Sequence, residues 1–229
     1  MLLISHAPTF LAALEPASID LAVIDPPYYN MVKDQWDRQW KTEDDYLEFM
    51  IDVATKIKRA LKPTGSLLMF NCLGKHGHHP FLRMIPELEK IFYWRDLITW
   101  GKRRGYGCAD RYLYAREELL WMSADPKHWI FNVPLLDTKR GYSGWGKYAA
   151  KSDYYRRTNV WTDIGELMKP KRACQKPTKL LDVIIQTHSN AGDTVLDCFA
   201  GTGATMISAE ANGRNFIGCD SDPDLAQHT

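Results

Sequence analysis

"TVLDCFAGTGATMISAEANGRNFIGCDSD", residues 194–222, reads as a strand, a glycine turn, a helix and a second strand that closes on an acid. A short apolar run bounded by turn residues is the pattern of a buried strand. Gly201 and Gly203 allow a tight backbone that a ligand can approach closely at the N-terminus of the following helix. Asp220 stands 17 residues beyond Gly203, at the end of the second strand. There a carboxylate can accept hydrogen bonds from both ribose hydroxyls of a nucleoside. A tight turn with a capping acid would use the same residue types, but the ordered strand, turn, helix, strand and acid favour the nucleoside. Position 206 is methionine where a dinucleotide fingerprint carries its third glycine. Without that pyrophosphate cradle the pattern favours S-adenosylmethionine as cofactor. Asp197 either braces the loop or touches the cofactor, and spacing leaves both open.

Outward from this unit the same rhythm recurs. "LLIS" (2–5), "LAVID" (21–25), "SLLMFN" (66–71), "RDLITW" (95–100) and "ELLWMS" (118–123) are further short apolar runs. From Thr42, with Asp45 in capping-box position, apolar residues recur with helical spacing through Tyr46, Met50, Val53, Ile57 and Leu61, until Pro63 and Gly65 stop them. A second helix is expected from Thr178 towards His188. Strands alternating with helices predict an α/β protein with an open, mostly parallel sheet and helices on both faces. The 229 residues suit one domain spanning 1–229. With 45% hydrophobic and 25% charged residues the composition is that of a globular protein, and no apolar run approaches the ~20 residues of a membrane span. The five cysteines form no CxxC pair, which argues for reduced thiols, against a zinc site and for a cytoplasmic location. A formal net charge of +1 means that any nucleic acid must be met by a local patch.

Two stretches depart from the rhythm. In "LAVIDPPYYN" (21–30) a strand ends on Asp25, then Pro26 and Pro27 stiffen the turn before Tyr28 and Tyr29. Taken alone, this is a rigid turn after a strand. Residues 139–157 carry six basic residues against one acid, with five interleaved aromatics and little apolar periodicity, as a surface insertion would.

The turn "DPPY" (25–28), followed late in the chain by "LDCFAGTGAT" (196–205) with Lys176-Pro177 just before it, resembles the DNA amino-methyltransferases, and in this motif order their β class. The likeness runs over essentially the whole chain. It implies a Rossmann-like S-adenosylmethionine-dependent methyltransferase fold acting on double-stranded DNA, and it makes a homodimer an expectation. It implies catalytic roles for Asp25, Pro26, Pro27 and Tyr28. It further implies cofactor contacts from Asp197, Phe199, Gly201, Thr202, Gly203, Asp220 and Lys176. The class keeps its target-recognition region at about 132–160 of this chain, where Arg140, Lys147, Arg156 and Arg157 are the candidate nucleic-acid contacts. Aspartate at position 25, where the cytosine enzymes often carry serine, points to adenine N6, with N4-cytosine, RNA, or a non-catalytic nucleic-acid-binding module as the alternatives.

The chemistry explains each residue type. An adenine amino nitrogen is a poor nucleophile because its lone pair is delocalised into the ring. Accepting its protons localises that pair. The Asp25 carboxylate and the Pro26 carbonyl are the expected acceptors, aimed by two prolines of fixed φ, and Tyr28 offers a face to a base turned out of the duplex. The chain also departs from the family. Ser5-His6 stands where Gly-Asp is usual, and His6 reads equally as a cofactor contact or a surface histidine. "ACQKP" (173–177) lacks the usual His-Pro, and Asp220 replaces a commoner glutamate. The histidines of "KHGHHP" (His76, His78, His79) read as a solvated loop and not as a metal site. "KRRGYG" (102–107) reads equally as a phosphate contact or a solvated loop.

Overall fold

The computed structural model describes the chain apart from residues 33, 74–77, 108, 110–111, 142–145, 147–151, 169, 171–173 and 223–229. The described residues form ten strands and five α-helices: β1 (Leu2–Ile4), α1 (Ala7–Ala12), β2 (Ile19–Ile24), α2 (Glu43–Ala60), β3 (Leu61–Asn71), α3 (Pro80–Leu88), β4 (Tyr93–Tyr106), β5 (Tyr114–Ser123), β6 (Leu135–Lys139), β7 (Tyr154–Arg156), β8 (Val160–Trp161), α4 (Thr178–His188), β9 (Thr194–Asp197), α5 (Ala204–Ala211) and β10 (Asn215–Asp220). Eight strands form one sheet in the order β1-β10-β9-β2-β3-β5-β4-β8. Its neighbours pair in parallel except where β5 lies antiparallel between β3 and β4. The expected open, mostly parallel sheet is therefore the architecture found.

Period-two alternation divides the core into two layers. Ala22, Ile24, Leu67, Met69, Leu120 and Met122 pack beneath α1, α2 and α3. Leu21, Val23, Leu68, Phe70, Leu119 and Trp121 pack beneath α4 and α5. Because both faces are covered, β2 is buried at every position and reads as a continuous apolar run. The Thr42–Asp45 capping box is present and starts α2, a feature worth about 1 kcal/mol. Helices α1 and α3 were not foreseen, since each is short and opens at or beside a proline that reads as a turn.

The insert is a small two-stranded antiparallel sheet, β6 with β7, separate from the main sheet. Residues 102–107 are not a loop: through Tyr106 they continue β4, which pairs again with β5 at Tyr106 after a register shift beyond Gly101. Cys72, Cys174, Cys198 and Cys219 are free thiols. Among the described residues no cluster could hold a metal ion, and His76 lies outside them. No described helix is long and apolar enough to cross a membrane.

His188, the last residue of α4, is buried against Trp121 with ring centroids 4.5 Å apart. Burial pulls its pKa down to about 3. The unfolded chain binds a proton near pH 6.5 that the folded chain refuses until about pH 3. Stability is therefore expected to decline as pH falls through that window. Urea denaturation between pH 7 and 4 checks this, and His188→Leu should flatten the slope. An unchanged slope would refute it.

Candidate active site

The helix that follows β2 packs on one face of the sheet, and the helix that follows β9 packs on the other. The two loops part at this point, which is where open α/β sheets place their ligands. A cavity of about 500 Å³ lies there. Asp25, Pro27 and Lys176 line it together with Asp197, Phe199, Gly201, Thr202 and Asp220. Asp25 and Pro27 of the turn after β2 and the glycine loop thus share one space, although 170 or more residues separate them in the chain.

The turn after β2 is strained and heavily braced. Tyr29 and Asn30 both adopt left-handed backbone, at φ 62° and 60°. Conformations of this kind persist where the surroundings enforce them. The enforcing group is Asp37, fully buried, whose carboxylate accepts from the backbone N–H groups of Tyr28 (2.8 Å), Met31 (2.5 Å) and Val32 (2.8 Å). From α2, the Tyr46 hydroxyl donates to the Pro27 carbonyl at 2.7 Å. Tyr29 packs against Tyr46, so it serves the core. The Pro26 carbonyl accepts no hydrogen bond among the described residues, which leaves it available.

Four ionisable groups meet behind this turn. The Tyr28 hydroxyl donates to Asp25 Oδ1 at 2.5 Å, and the Lys176 ammonium donates to Asp25 Oδ2 at 2.5 Å. Lys176 also stands 3.2 Å from Glu117 Oε2 on β5, while Glu117 Oε1 pairs with Lys102 on β4. Burial holds the Asp25 pKa above the usual carboxylate range, though Lys176 beside it pulls the other way. Burial likewise pushes the Tyr28 hydroxyl up. For Lys176 burial acts downward, but the two carboxylates outweigh it and keep the ammonium charged. Lys176 was expected among the cofactor contacts. Its side chain borders the shared cavity, and its ammonium is engaged by Asp25. Lys102, in a stretch that read equally as a phosphate contact or a solvated loop, instead pairs inward with Glu117.

The glycine loop closes the other side. Gly201 and Gly203 are both left-handed, at φ 53° and 75°, and Gly203 is the N-cap of α5. Asp220 Oδ2 accepts from the Gly201 N–H at 2.7 Å, and Oδ1 accepts from the Asp222 N–H at 2.9 Å. Each carboxylate oxygen retains a further lone pair for a ligand hydroxyl. Asp197 is buried, accepts from the Phe199 N–H at 2.9 Å, and burial pushes its pKa up to about 7. It braces the loop and also borders the cavity. His6 lines the same cavity.

Of the candidate nucleic-acid contacts, Lys147 lies outside the described residues. Arg140 stacks over the Tyr155 ring, 4.8 Å from its centroid. Arg156 is exposed. Arg157 is not free: its side chain is 6% exposed and forms a two-pronged pair with Asp163, at 2.5 and 2.9 Å. Sequence reading missed Glu117 and Asp37. No local signal singles them out, because a carboxylate within a strand or a turn usually faces water.

A cavity of this size, with one acid at a strand end, a close glycine backbone and no pyrophosphate cradle, fits a nucleoside-bearing sulfonium. A family model described as DNA methylase, of the N6/N4 type, matches residues 19–229. The chain is 33% identical over 241 residues to the type II methyltransferase M1.MboII of Moraxella bovis, spanning 92% of this chain and 87% of that protein. It is 32% identical over 230 residues to the DNA adenine methyltransferase YhdJ of Escherichia coli, spanning 92% of this chain and 74% of that one. The fold superposes on the PvuII DNA methyltransferase (cytosine-N4-specific) with a TM-score of 0.76 at 17% identity, over 99% of this chain and 83% of that one. With the two motifs on one cavity and a family match over nearly its whole length, this chain belongs to the N6/N4 family of DNA amino-methyltransferases, whose methyl donor is S-adenosylmethionine.

Proposed function

We propose that the protein transfers a methyl group from S-adenosylmethionine to the N6 amino group of an adenine turned out of double-stranded DNA. One observation carries the reading: Asp25 and Asp220 line the same cavity, so an acceptor for an amine and an acceptor for ribose hydroxyls face a common space. Asp220, Gly201, Thr202 and Phe199 would hold the cofactor, which when bound supplies an electrophilic methyl on sulfur. The chain's own residues act on the amine. Asp25 Oδ2 and the Pro26 carbonyl accept its two protons, which localises the nitrogen lone pair. The Tyr28 ring, whose hydroxyl has Asp25 and Glu117 as partners, offers a stacking face worth about 1–3 kcal/mol against the cost of base extrusion. Burial, which raises the Asp25 pKa, suits that carboxylate to receive the proton that nitrogen must shed.

Adenine is favoured over cytosine by the aspartate at position 25 and by the likeness to an enzyme named for adenine. Transfer of a radiolabelled methyl group to unmethylated duplex DNA, followed by nucleoside analysis, is the test. Label in N6-methyldeoxyadenosine supports the reading, label in N4-methyldeoxycytidine overturns the choice of base, and label in a parallel RNA sample with none in DNA overturns the substrate.

The basic insert is the expected DNA-facing surface. Arg156→Glu should weaken duplex binding and lower the slope of log affinity against log salt by about 0.9, the value of one phosphate contact. Arg157→Glu should instead destabilise the insert, since it sets two carboxylates together where Asp163 now holds a guanidinium. Binding measured across 50–300 mM salt distinguishes the two, and an unchanged slope for the Arg156 variant would remove that residue from the interface.

A further inference from the structure

The proposed reaction needs Asp25 as an acceptor, yet both of its oxygens are engaged, one by Tyr28 and one by Lys176. An ammonium on a carboxylate weakens it as an acceptor, and it repels the positive charge that grows on an attacking nitrogen. Lys176 has a side chain only 5% exposed, so it cannot retreat into water. Taking a buried ammonium off its partner is strongly unfavourable unless another anion receives it.

Glu117 is that anion. Its Oε2 lies 3.2 Å from the Lys176 ammonium and 3.4 Å from the Tyr28 hydroxyl, so both groups that occupy Asp25 already have the same second partner. Its Oε1 is anchored by Lys102 from the neighbouring strand. Burial works against the Glu117 charge, but Lys176 and Lys102 together hold its pKa below the usual range. We propose that Glu117 is a positioning residue for methyl transfer, which takes Lys176 and the Tyr28 hydroxyl over from Asp25 when the target amine enters. The ammonium, already 3.2 Å from Glu117 Oε2, stays paired throughout, and Asp25 becomes free to accept from the amine. This role rests on the methyl-transfer reading above and deepens it.

Glu117→Gln keeps the shape and removes the charge that receives Lys176. The kcat is expected to fall about 100-fold, the scale of a misplaced catalytic group, with the KM for DNA and the Kd for S-adenosylmethionine unchanged. Glu117→Asp should recover part of the loss. In a Lys176→Met background the same glutamine should cost little more, since the ion it serves is gone. A kcat within twofold of wild type, an equal factor in both backgrounds, or a loss confined to cofactor affinity would overturn the proposal. A readout free of turnover accompanies it. With glutamate labelled at the carboxyl carbon, the Glu117 resonance should move when wild-type protein binds duplex DNA and stay still in Lys176→Met. A resonance unmoved in wild type also overturns it. Failure of the methyl-transfer reading itself would appear separately, as wild-type protein that labels no unmethylated DNA.

Discussion

Asp25→Ala is expected to abolish methyl transfer while S-adenosylmethionine still binds. The carboxylate sits at the end of β2, a quarter exposed and bordering the cavity, so its removal leaves no void in the core. Lys176 keeps Glu117 as a partner at 3.2 Å, so the buried ammonium is not orphaned and the fold should survive. The reaction loses both the acceptor that activates the amine and the group that takes its proton. Losses of about 10²–10⁴-fold follow removal of a positioned acid or base, and loss of a charge aimed at the transition state adds to that. The expected result is therefore a rate at the limit of a radiolabel assay. Cofactor affinity measured by calorimetry should change little, because Asp220 and the glycine loop are untouched. Turnover near wild type would sink the assignment of Asp25.

Gly203→Val is expected to abolish S-adenosylmethionine binding in a folded protein. Gly203 has φ 75° and caps α5, and its N–H donates to the Ala200 carbonyl at 2.8 Å. A β-branched residue is a genuine outlier in the left-handed region, at about 1–2 kcal/mol or more. The loop must therefore rearrange, and it carries the Gly201 N–H that fixes Asp220. Gly213 supplies a control. It has nearly the same φ, 74°, but lies beyond the other end of α5, with nothing within 4 Å of an added Cβ. Gly213→Val should cost comparable stability and leave affinity intact. A Kd raised at least 100-fold in Gly203→Val, with native circular dichroism, checks the prediction. Equal affinities in the two variants would mean that the loop is only a turn.

The features legible in the sequence are those with local causes. Buried strands announce themselves where both faces of the sheet are covered, so β2 from Leu21 to Ile24 and β3 from Leu67 to Phe70 are apolar runs. The capping box, the glycines at 201 and 203 and the two prolines each answer a demand of their own backbone. The insert, too, was legible as a departure from periodicity, though its pairing of β6 with β7 was not.

What the sequence by itself determined is the fold class, the rigid Asp-Pro-Pro-Tyr turn and the glycine loop, because each is written in residues close together in the chain. What only the tertiary structure decided is the company those residues keep. Lys176 reaches Asp25 across 151 positions, Glu117 reaches Tyr28 across 89, and Lys102 meets Glu117 only through the register of β4 on β5. Strand order and register set these meetings, and neither is a property of any single segment. A glutamate in "AREELL" reads as solvated until β5, antiparallel between β3 and β4, brings it to Tyr28 and Lys176, where Lys102 of the neighbouring strand pairs with it. Burial then makes the encounter consequential. Water no longer screens the charges, so each of the four must find its counter-charge or hydrogen-bond partner among the other three and Lys102.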